Sequence, residues 1–166
     1  MAIEIERTFL LANDGWRDAV VRTSHLTDGL IARADGRKVR VRLSGRQAWL
    51  TVKGPRQGIS RFEFEYEIPY PDGLIMLQSL CAGPSIEKIR HLVPFAGFDW
   101  SVDIHLGLLT GTDLAEVELQ HVDDDMPLPP WIGREVTHEP SLRKEALLAR
   151  CVAAMAVASS LPGSLQ

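Results

Sequence analysis

Three short segments of the chain carry like charges at every second position. They are Glu4-Ile5-Glu6, Arg40-Val41-Arg42 and Glu116-Val117-Glu118. A β-strand points alternate side chains to opposite faces, so each pair would place two like charges on one face, where they repel. Acid pairs suit a hard divalent cation, and basic pairs suit a polyanion. The spacing therefore predicts a site that binds a metal ion together with a polyphosphate.

The same alternation extends through longer segments. In residues 59–68, Arg61, Glu63 and Glu65 share one face, and aromatic residues occupy the other. A half-buried sheet with its charged face in water explains any single strand of this kind. A closed barrel with inward-facing charges explains it as well, provided that a ligand, a metal ion or the charges themselves offset the cost of burial. The alternation by itself leaves both interpretations open.

The composition is that of an ordinary globular domain. At 166 residues the chain can bury a substantial core, and its apolar content is 45%. The net charge of −4 argues against a general nucleic-acid binder. The most apolar stretch, 146–161, is interrupted by Arg150 and is too short to span a bilayer. The two cysteines form no metal or redox motif. We therefore expect one domain over residues 1–166 in a reducing cytoplasm.

Eight segments show period-two alternation or a composition rich in β-formers. They are residues 2–11, 29–34, 38–44, 47–53, 59–68, 86–93, 99–106 and 113–121. Turn signals such as Asp35-Gly36 and Ala96-Gly97 separate them. Helical spacing predicts a helix over 71–80 and another near 141–159, with a weaker signal around 16–21. This order of elements predicts an α+β fold, mainly β, built on an antiparallel sheet or barrel.

The segment Glu4-Ile5-Glu6-Arg7 resembles the N-terminal signature of the CYTH superfamily, the triphosphate tunnel metalloenzymes. Further motifs follow in that family's order, and the resemblance covers almost the whole chain. They are Arg-x-Arg at 40–42, Thr-x-Lys at 51–53, Arg-x-Glu-x-Glu at 61–65, Lys-x-Arg at 88–90 and the acids at 103 and 116–118. The resemblance implies a closed eight-stranded antiparallel β-barrel with flanking helices, the last of them packed on the barrel. It also implies hydrolysis of a linear triphosphate, above all inorganic tripolyphosphate, with Mg²⁺ or Mn²⁺.

The resemblance further implies a role for each of the charges in these motifs. The implied metal ligands are Glu4, Glu6, Glu116 and Glu118. The implied phosphate-binding residues are Arg40, Arg42, Lys53, Arg61, Lys88 and Arg90. The residues implied to hold a second metal ion, or to orient the attacking water, are Glu63, Glu65 and Asp103. Glu67 is expected to be a surface charge at the end of its strand, and Arg7 is expected to face outward.

The chain departs from the family pattern at Thr8, where the family has a lysine on the face of Glu4 and Glu6. This change removes a cation from the tunnel, and Lys144 is a candidate to supply the missing charge. A class IV adenylate cyclase and a triphosphate- or nucleotide-binding module with weak catalysis are the alternative functions. The expected partner is a small triphosphate, with no nucleic acid and no membrane, and the expected assembly is a monomer or a homodimer.

Overall fold

The computed structural model describes residues 2–160, within which the chain forms nine β-strands and two α-helices. The strands are β1 Ile3–Leu11, β2 Arg22–Ala34, β3 Arg37–Ser44, β4 Gln47–Lys53, β5 Ser60–Ile68, β6 Ile86–Phe95, β7 Phe98–His105, β8 Leu114–Glu118 and β9 Ile132–Glu135. The helices are α1 Tyr70–Ser79 and α2 Lys144–Ser160. Short 3₁₀ helices lie at Arg17–Ala19, Gly107–Leu109 and Pro140–Leu142.

Eight of the strands close into an antiparallel barrel in the order β1-β5-β4-β3-β2-β6-β7-β8, and β8 pairs back to β1. Strand β1 divides its second edge between two partners. Its residues 3–5 pair with β5, and Phe9 and Leu11 pair with β9. Closure leaves no long free edge on the barrel strands. The predicted closed eight-stranded barrel, in a mainly β fold with two helices, is confirmed.

Several boundaries differ from the predicted ones, and each difference has a local cause. β2 begins at Arg22 rather than at 29, because Asp28-Gly29 lies inside the strand and makes no turn. The segment around 16–21 forms only a 3₁₀ helix over Arg17–Ala19, since the backbone becomes extended at Val20. β8 ends at Glu118 rather than at 121. There the Asp124 carboxylate accepts the backbone N–H groups of Gln120 and His121 and turns the chain. The short strand β9 was not predicted.

Two hairpins confirm the predicted turns. Asp35 and Gly36 join β2 to β3 with φ values of 49° and 77°, and Ala96 and Gly97 join β6 to β7 with φ values of 50° and 84°. Two consecutive residues with positive φ form the type I′ turn, whose twist matches that of the flanking strands. These turns set the register that keeps the charged side chains of each hairpin on one face.

The hydrophobic core lies outside the barrel wall. Trp100 on β7 is fully buried, with its ring centroid 5.5 Å from that of Phe9 and 5.7 Å from that of Trp131. Val117 and Met126 belong to the same cluster, which joins the outward faces of β1, β7 and β8 to the loops around them. Apolar burial on the outside therefore supports a wall whose inner face carries the charges.

Helix α1 covers another part of the outer wall, over β2, β3 and β4. Two glycines allow this close approach. A Cβ at Gly73 would lie 2.4 Å from the Cβ of Ala48, and a Cβ at Gly29 would lie 2.4 Å from the Sγ of Cys81. Both cysteines of the chain are free and half-buried.

Strand β5 keeps an uncovered apolar face. Phe62, Phe64 and Tyr66 point outward from it and remain 59%, 42% and 59% exposed. No helix within residues 2–160 is both long enough and apolar enough to cross a membrane. The single domain over 1–166 stays a prediction, and residues 1 and 161–166 of it lie outside the described residues.

We predict that Gly73→Ala destabilises the protein although alanine is the better helix former. Helix propensity alone would favour alanine by about 1 kcal/mol. The new methyl group would meet Ala48 at 2.4 Å, and overpacking of this kind costs about 1–3 kcal/mol. Urea denaturation measures the change in the free energy of unfolding. The double variant with Ala48→Gly should lose less than the two single variants combined. A more stable Gly73→Ala variant would contradict this packing.

Candidate active site

The barrel encloses a charged tunnel with a cavity of about 940 Å³. Eleven of the thirteen charged residues proposed from the sequence line this cavity. They are Glu4, Glu6, Arg40, Arg42, Lys53, Arg61, Glu63, Glu65, Arg90, Glu116 and Glu118. A second cavity of about 650 Å³, near the β6–β7 turn, shares Glu6, Arg90, Glu116 and Glu118 with the first. Gly36 of the β2–β3 turn lines the first cavity and Gly97 of the β6–β7 turn lines the second, so the cavities lie toward opposite ends of the barrel and meet at these four side chains.

The remaining two proposed residues lie behind the lining. Asp103 and Lys88 are fully buried, and the Lys88 Nζ is 2.5 Å from Asp103 Oδ2. Arg90 donates two hydrogen bonds to the Asp103 carboxylate, at 2.7 and 2.8 Å. Burial would raise the pKa of Asp103, but Lys88, Arg90 and Lys144 outweigh it and hold that pKa well below its ordinary value. Asp103 therefore forms ion pairs that fix the positions of the basic side chains around it.

A second acid on this wall, Glu116, accepts hydrogen bonds from both Arg90 and Lys144, at 2.7 and 2.6 Å. Burial would raise its pKa, but Lys144 and Arg90 lower it below the ordinary value. Arg90 thus bridges Asp103 on β7 and Glu116 on β8, which fixes the orientation of both carboxylates.

On the opposite side of β1, Glu4 holds two cations from neighbouring strands. Arg61 Nε lies 2.5 Å from Glu4 Oε2, and Lys53 Nζ lies 3.1 Å from Glu4 Oε1. Lys53 also contacts Glu63 at 2.6 Å. The register explains these contacts, because Glu4 is directly opposite Arg61 and Lys53 is directly opposite Glu63. The Glu65 carboxylate accepts a hydrogen bond of 2.8 Å from the Thr51 hydroxyl and lies 3.4 Å from the Arg40 guanidinium.

Asp28 is a charged residue of the tunnel that the sequence analysis missed. Arg42 donates two hydrogen bonds to its carboxylate, at 2.6 and 2.8 Å, and Arg40 lies 3.5 Å away. Burial would raise the pKa of Asp28, but these arginines and Lys88 hold it well below its ordinary value. The dipeptide Asp28-Gly29 has the composition of a turn, which concealed its place within β2. Gly29 is required instead by the close approach of α1.

Two further basic residues were also missed, Lys38 and Arg56. Lys38 at the start of β3 contacts Glu145 of α2 at 2.5 Å, and Arg56 in the β4–β5 loop contacts Glu6 at 3.0 Å. Both line the cavity. For Lys38 the signal was available, because it shares the alternation of Arg40 and Arg42. Arg56 lies in a loop, where alternation gives no information.

The wall formed by β1 and β8 keeps an excess of negative charge. Glu6 and Glu118 are directly opposite each other in the β1–β8 register. Burial, then Glu116 and Glu4, raise the pKa of Glu6, and burial, then Glu4 and Glu6, raise the pKa of Glu118. Like charges in such a position repel, and a cation between them would relieve the repulsion.

This donor set fits a hard divalent cation by its chemistry. Within residues 2–160, no three His, Cys, Asp or Glu side chains converge closely enough to enclose a metal ion by themselves. Mg²⁺ does not require such a cage, because it is usually held by one or two carboxylates together with waters and phosphate oxygens. Glu6 and Glu118 offer such carboxylates.

The residues expected outside the tunnel lie there. Arg7 forms an ion pair with Glu135 of β9, with its Nη2 2.6 Å from Glu135 Oε2, and it stacks over the Phe9 ring. Glu67 lines neither cavity and lies 3.5 Å from the side-chain amide of Gln47.

Comparison with known proteins agrees with this architecture. The model of the CYTH domain matches residues 2–151. The chain belongs to the CYTH domain family. An inorganic triphosphatase of Acetivibrio thermocellus is 41% identical over 140 residues, which cover 84% of this chain and 89% of that protein. The predictions of this family and of a hydrolase are thereby confirmed.

Solved structures show the same similarity. The crystal structure of the inorganic triphosphatase NE1496 matches with a TM-score of 0.62 and 29% identity, covering 87% of this chain and 97% of that chain. HpAC1 of Hippeastrum, a candidate adenylyl cyclase with a dominant triphosphatase activity, matches with a TM-score of 0.53 and 15% identity. That match covers 73% of this chain and 80% of HpAC1 and, at its low identity, supports the fold alone.

We predict that Asp28→Asn destabilises the protein by about 3–5 kcal/mol at neutral pH, because it leaves Arg42 and Arg40 without their buried carboxylate. The folded-state pKa of Asp28 lies below its unfolded value of 3.8, so its stabilising effect is present above about pH 4. The effect fades as the pH falls through the folded-state pKa. Thermal unfolding curves of the two proteins should therefore approach each other in acid.

The matched control is Asp35→Asn, at a side chain that is 87% exposed and whose turn conformation also suits asparagine. It should change the free energy of unfolding by no more than about 0.5 kcal/mol. An Asp28→Asn loss no larger than that of the control would exclude the anchoring role of Asp28.

Proposed function

We propose that the protein hydrolyses a linear triphosphate inside the tunnel with the help of Mg²⁺ or Mn²⁺, and that inorganic tripolyphosphate is its substrate. The observation that carries this proposal is the separation of charge within one cavity. Excess acid lies on β1 and β8, and arginines and lysines project from β3, β4, β5 and β6. A triphosphate presents negative charge to the basic side, and a bound cation presents positive charge to the acidic side. The named activity of the 41% identical relative supports the same substrate.

In this proposal the basic residues bind and orient the phosphates. Arg40, Arg42, Arg61, Lys53 and Arg90 line the cavity, and their planar or ammonium donors match phosphate oxygens. Lys88 contributes indirectly, since it is fully buried and contacts Asp103. Holding the chain of phosphates in line with the attacking water is the main task, because phosphoryl transfer depends on position and charge stabilisation.

On the acidic side, Glu4, Glu6, Glu116 and Glu118 are the proposed metal ligands, directly or through water. A bound divalent cation would supply charge stabilisation for the phosphoryl oxygens and would acidify a bound water. Glu63 and Glu65 of β5 also line the cavity and are our candidates to orient the attacking water. Asp103 stays a candidate for a second metal ion, and its contacts with Lys88 and Arg90 favour a positioning role.

Phosphate release from the purified protein tests the proposal directly. Tripolyphosphate, thiamine triphosphate and ATP are incubated with Mg²⁺, with Mn²⁺ or with EDTA, and orthophosphate is measured. We expect release from tripolyphosphate with either metal ion and none with EDTA. Chromatography of the ATP reaction distinguishes the cyclase alternative by its cyclic AMP product. Tight triphosphate binding without release from any substrate would favour the binding module.

The assembly and the location also stay predictions. Sedimentation velocity distinguishes a monomer from a homodimer. Fractionation of the source cells, followed by immunodetection, tests the cytoplasmic location.

We predict that Glu118→Gln stabilises the metal-free protein while it lowers the activity. The substitution removes a carboxylate whose pKa is raised by burial and by the neighbouring charges of Glu4 and Glu6, so the melting temperature without metal should rise. The loss of a metal ligand should reduce tripolyphosphate hydrolysis about ten- to hundredfold. Added Mg²⁺ should raise the melting temperature of the wild type more than that of the variant.

Glu67→Gln is the control, because it removes the same charge from a residue outside both cavities. It should retain the wild-type rate and the wild-type response to Mg²⁺. A fully active Glu118→Gln variant would remove Glu118 from the proposed set of metal ligands.

A further inference from the structure

The loop between β4 and β5 brings an arginine to the wall formed by β1 and β8. The Gly54 N–H donates a hydrogen bond of 2.8 Å to the Phe62 carbonyl. The Gln57 N–H donates one of 2.8 Å to the Ser60 carbonyl. These bonds attach the loop to β5 on both sides of Arg56. The backbone is therefore held in place there, and the long Arg56 side chain is the part that can change position.

Arg56 meets Glu6 inside the barrel. The Glu6 N–H donates to the Ile59 carbonyl at 3.0 Å, which brings the end of the loop beside β1. Arg56 Nη2 lies 3.0 Å from Glu6 Oε1. The two side chains are only 19% and 13% exposed, and both line the tunnel cavity. This ion pair therefore belongs to the tunnel and not to the outer surface of the protein.

The four carboxylates of this wall are unequally neutralised. Glu4 and Glu116 each contact two basic side chains. Glu6 contacts one, that of Arg56, among the residues that the structure describes. Within residues 2–160, the side chain of Glu118 has no ion pair and no hydrogen bond, although it is directly opposite Glu6. Arg56 is thus the described cation in contact with the least neutralised pair of acids.

The contact between Arg56 and Glu6 is easier to replace than other arginine contacts of the tunnel. Arg42 and Arg90 each donate two hydrogen bonds to one carboxylate, and Arg56 donates one. Two parallel hydrogen bonds bind a carboxylate more strongly than a single one. Arg56 can therefore leave Glu6 at a smaller cost in free energy than Arg42 or Arg90 can leave their acids.

A divalent cation would meet Arg56 at this carboxylate. The metal ion and the guanidinium would place positive charge twice on Glu6, and such charges repel strongly in a poorly solvated interior. The metal ion carries the larger charge and can use Glu118 as well, so it should displace the arginine. Because displacement breaks an ion pair, Arg56 should lower the affinity of this wall for a metal ion that binds by itself.

We propose that Arg56 competes with the divalent cation for Glu6 and so sets the affinity of the tunnel for the free metal ion. This inference rests on the proposed function, since it assumes that Glu6 is a metal ligand. It gives the β4–β5 loop a part in the site that the alternating strands do not supply. Arg56 neutralises Glu6 until a metal ion replaces it.

Mn²⁺ binding in the absence of triphosphate tests this inference, with free Mn²⁺ measured by electron paramagnetic resonance. Arg56→Gln should bind Mn²⁺ about tenfold more tightly, because one charged hydrogen bond no longer has to be broken. In EDTA the same variant should melt at a lower temperature, since Glu6 has lost its cation. The double variant Arg56→Gln with Glu6→Gln should recover most of that fall in melting temperature.

Two control variants separate displacement at Glu6 from the general charge of the tunnel. Lys38→Gln removes a positive charge from the same cavity, but the ion pair of Lys38 is with Glu145 of α2. It should change the affinity for Mn²⁺ by about twofold or less. Arg56→Lys keeps the positive charge on the loop and should bind Mn²⁺ at most about twofold more tightly than the wild type.

The outcomes distinguish this inference from the proposed function. An unchanged or weaker affinity of Arg56→Gln for Mn²⁺ would overturn the inference even if the wild type hydrolyses tripolyphosphate. An equal gain in Lys38→Gln would also overturn it, because the effect would then be one of overall charge. The expected gain in a protein that releases no phosphate would support the inference and reject the hydrolase. If neither the wild type nor Arg56→Gln binds Mn²⁺, the inference is overturned, and the hydrolysis assay decides the proposed function.

Discussion

The neutralisation of charges inside a closed barrel is the constraint on which the rest of the structure depends. A carboxylate or guanidinium without a partner in this interior would destabilise the fold by several kcal/mol. The chain meets this constraint by alternating acids and bases between neighbouring strands, so that Arg42 reaches Asp28, Arg90 reaches Asp103 and Arg61 reaches Glu4. The register of the sheet must therefore satisfy the charge pairs on its inner face as well as the apolar contacts on its outer face.

Because the inner face of the barrel carries charged side chains, the apolar core lies on the outer face of the wall. Trp100, Phe9 and Trp131 stack there, and α1 covers a second region through the close approach at Gly73. Both regions stabilise the barrel without entering the tunnel. The side chains of the interior therefore need not stabilise the fold and can serve ligand binding. Buried charges of this kind contribute little net stability.

Much of this arrangement could be predicted from the sequence, because strand alternation assigns a face to each residue. The inward positions of Glu4, Arg40, Glu63 and Glu116 follow from period two alone once the barrel is closed. Alternation does not say which charges meet across the tunnel. Asp28 was concealed by the turn-like dipeptide Asp28-Gly29, whose glycine is needed for helix packing. The burial of Asp103 behind Arg90 depends on the pairing of β6 with β7, and single strands carry no information about it.

The pairing of acids and bases in the tunnel also determines which combination of ligands binds most favourably. If the proposed roles hold, a metal ion that bound alone to Glu4 or Glu116 would weaken the ion pair of that carboxylate with Arg61 or Lys144. The positive charge of Arg61 or Lys144 would then be only partly neutralised. A triphosphate alone would take those basic residues and leave the carboxylates to repel each other. A cation and a triphosphate together replace each acid–base pair by an acid–metal contact and a base–phosphate contact, and the charge in the tunnel stays balanced. Each ligand should therefore strengthen binding of the other, to the same degree in both directions. The network that stabilises the free barrel thus favours binding of the metal ion and the triphosphate as a pair.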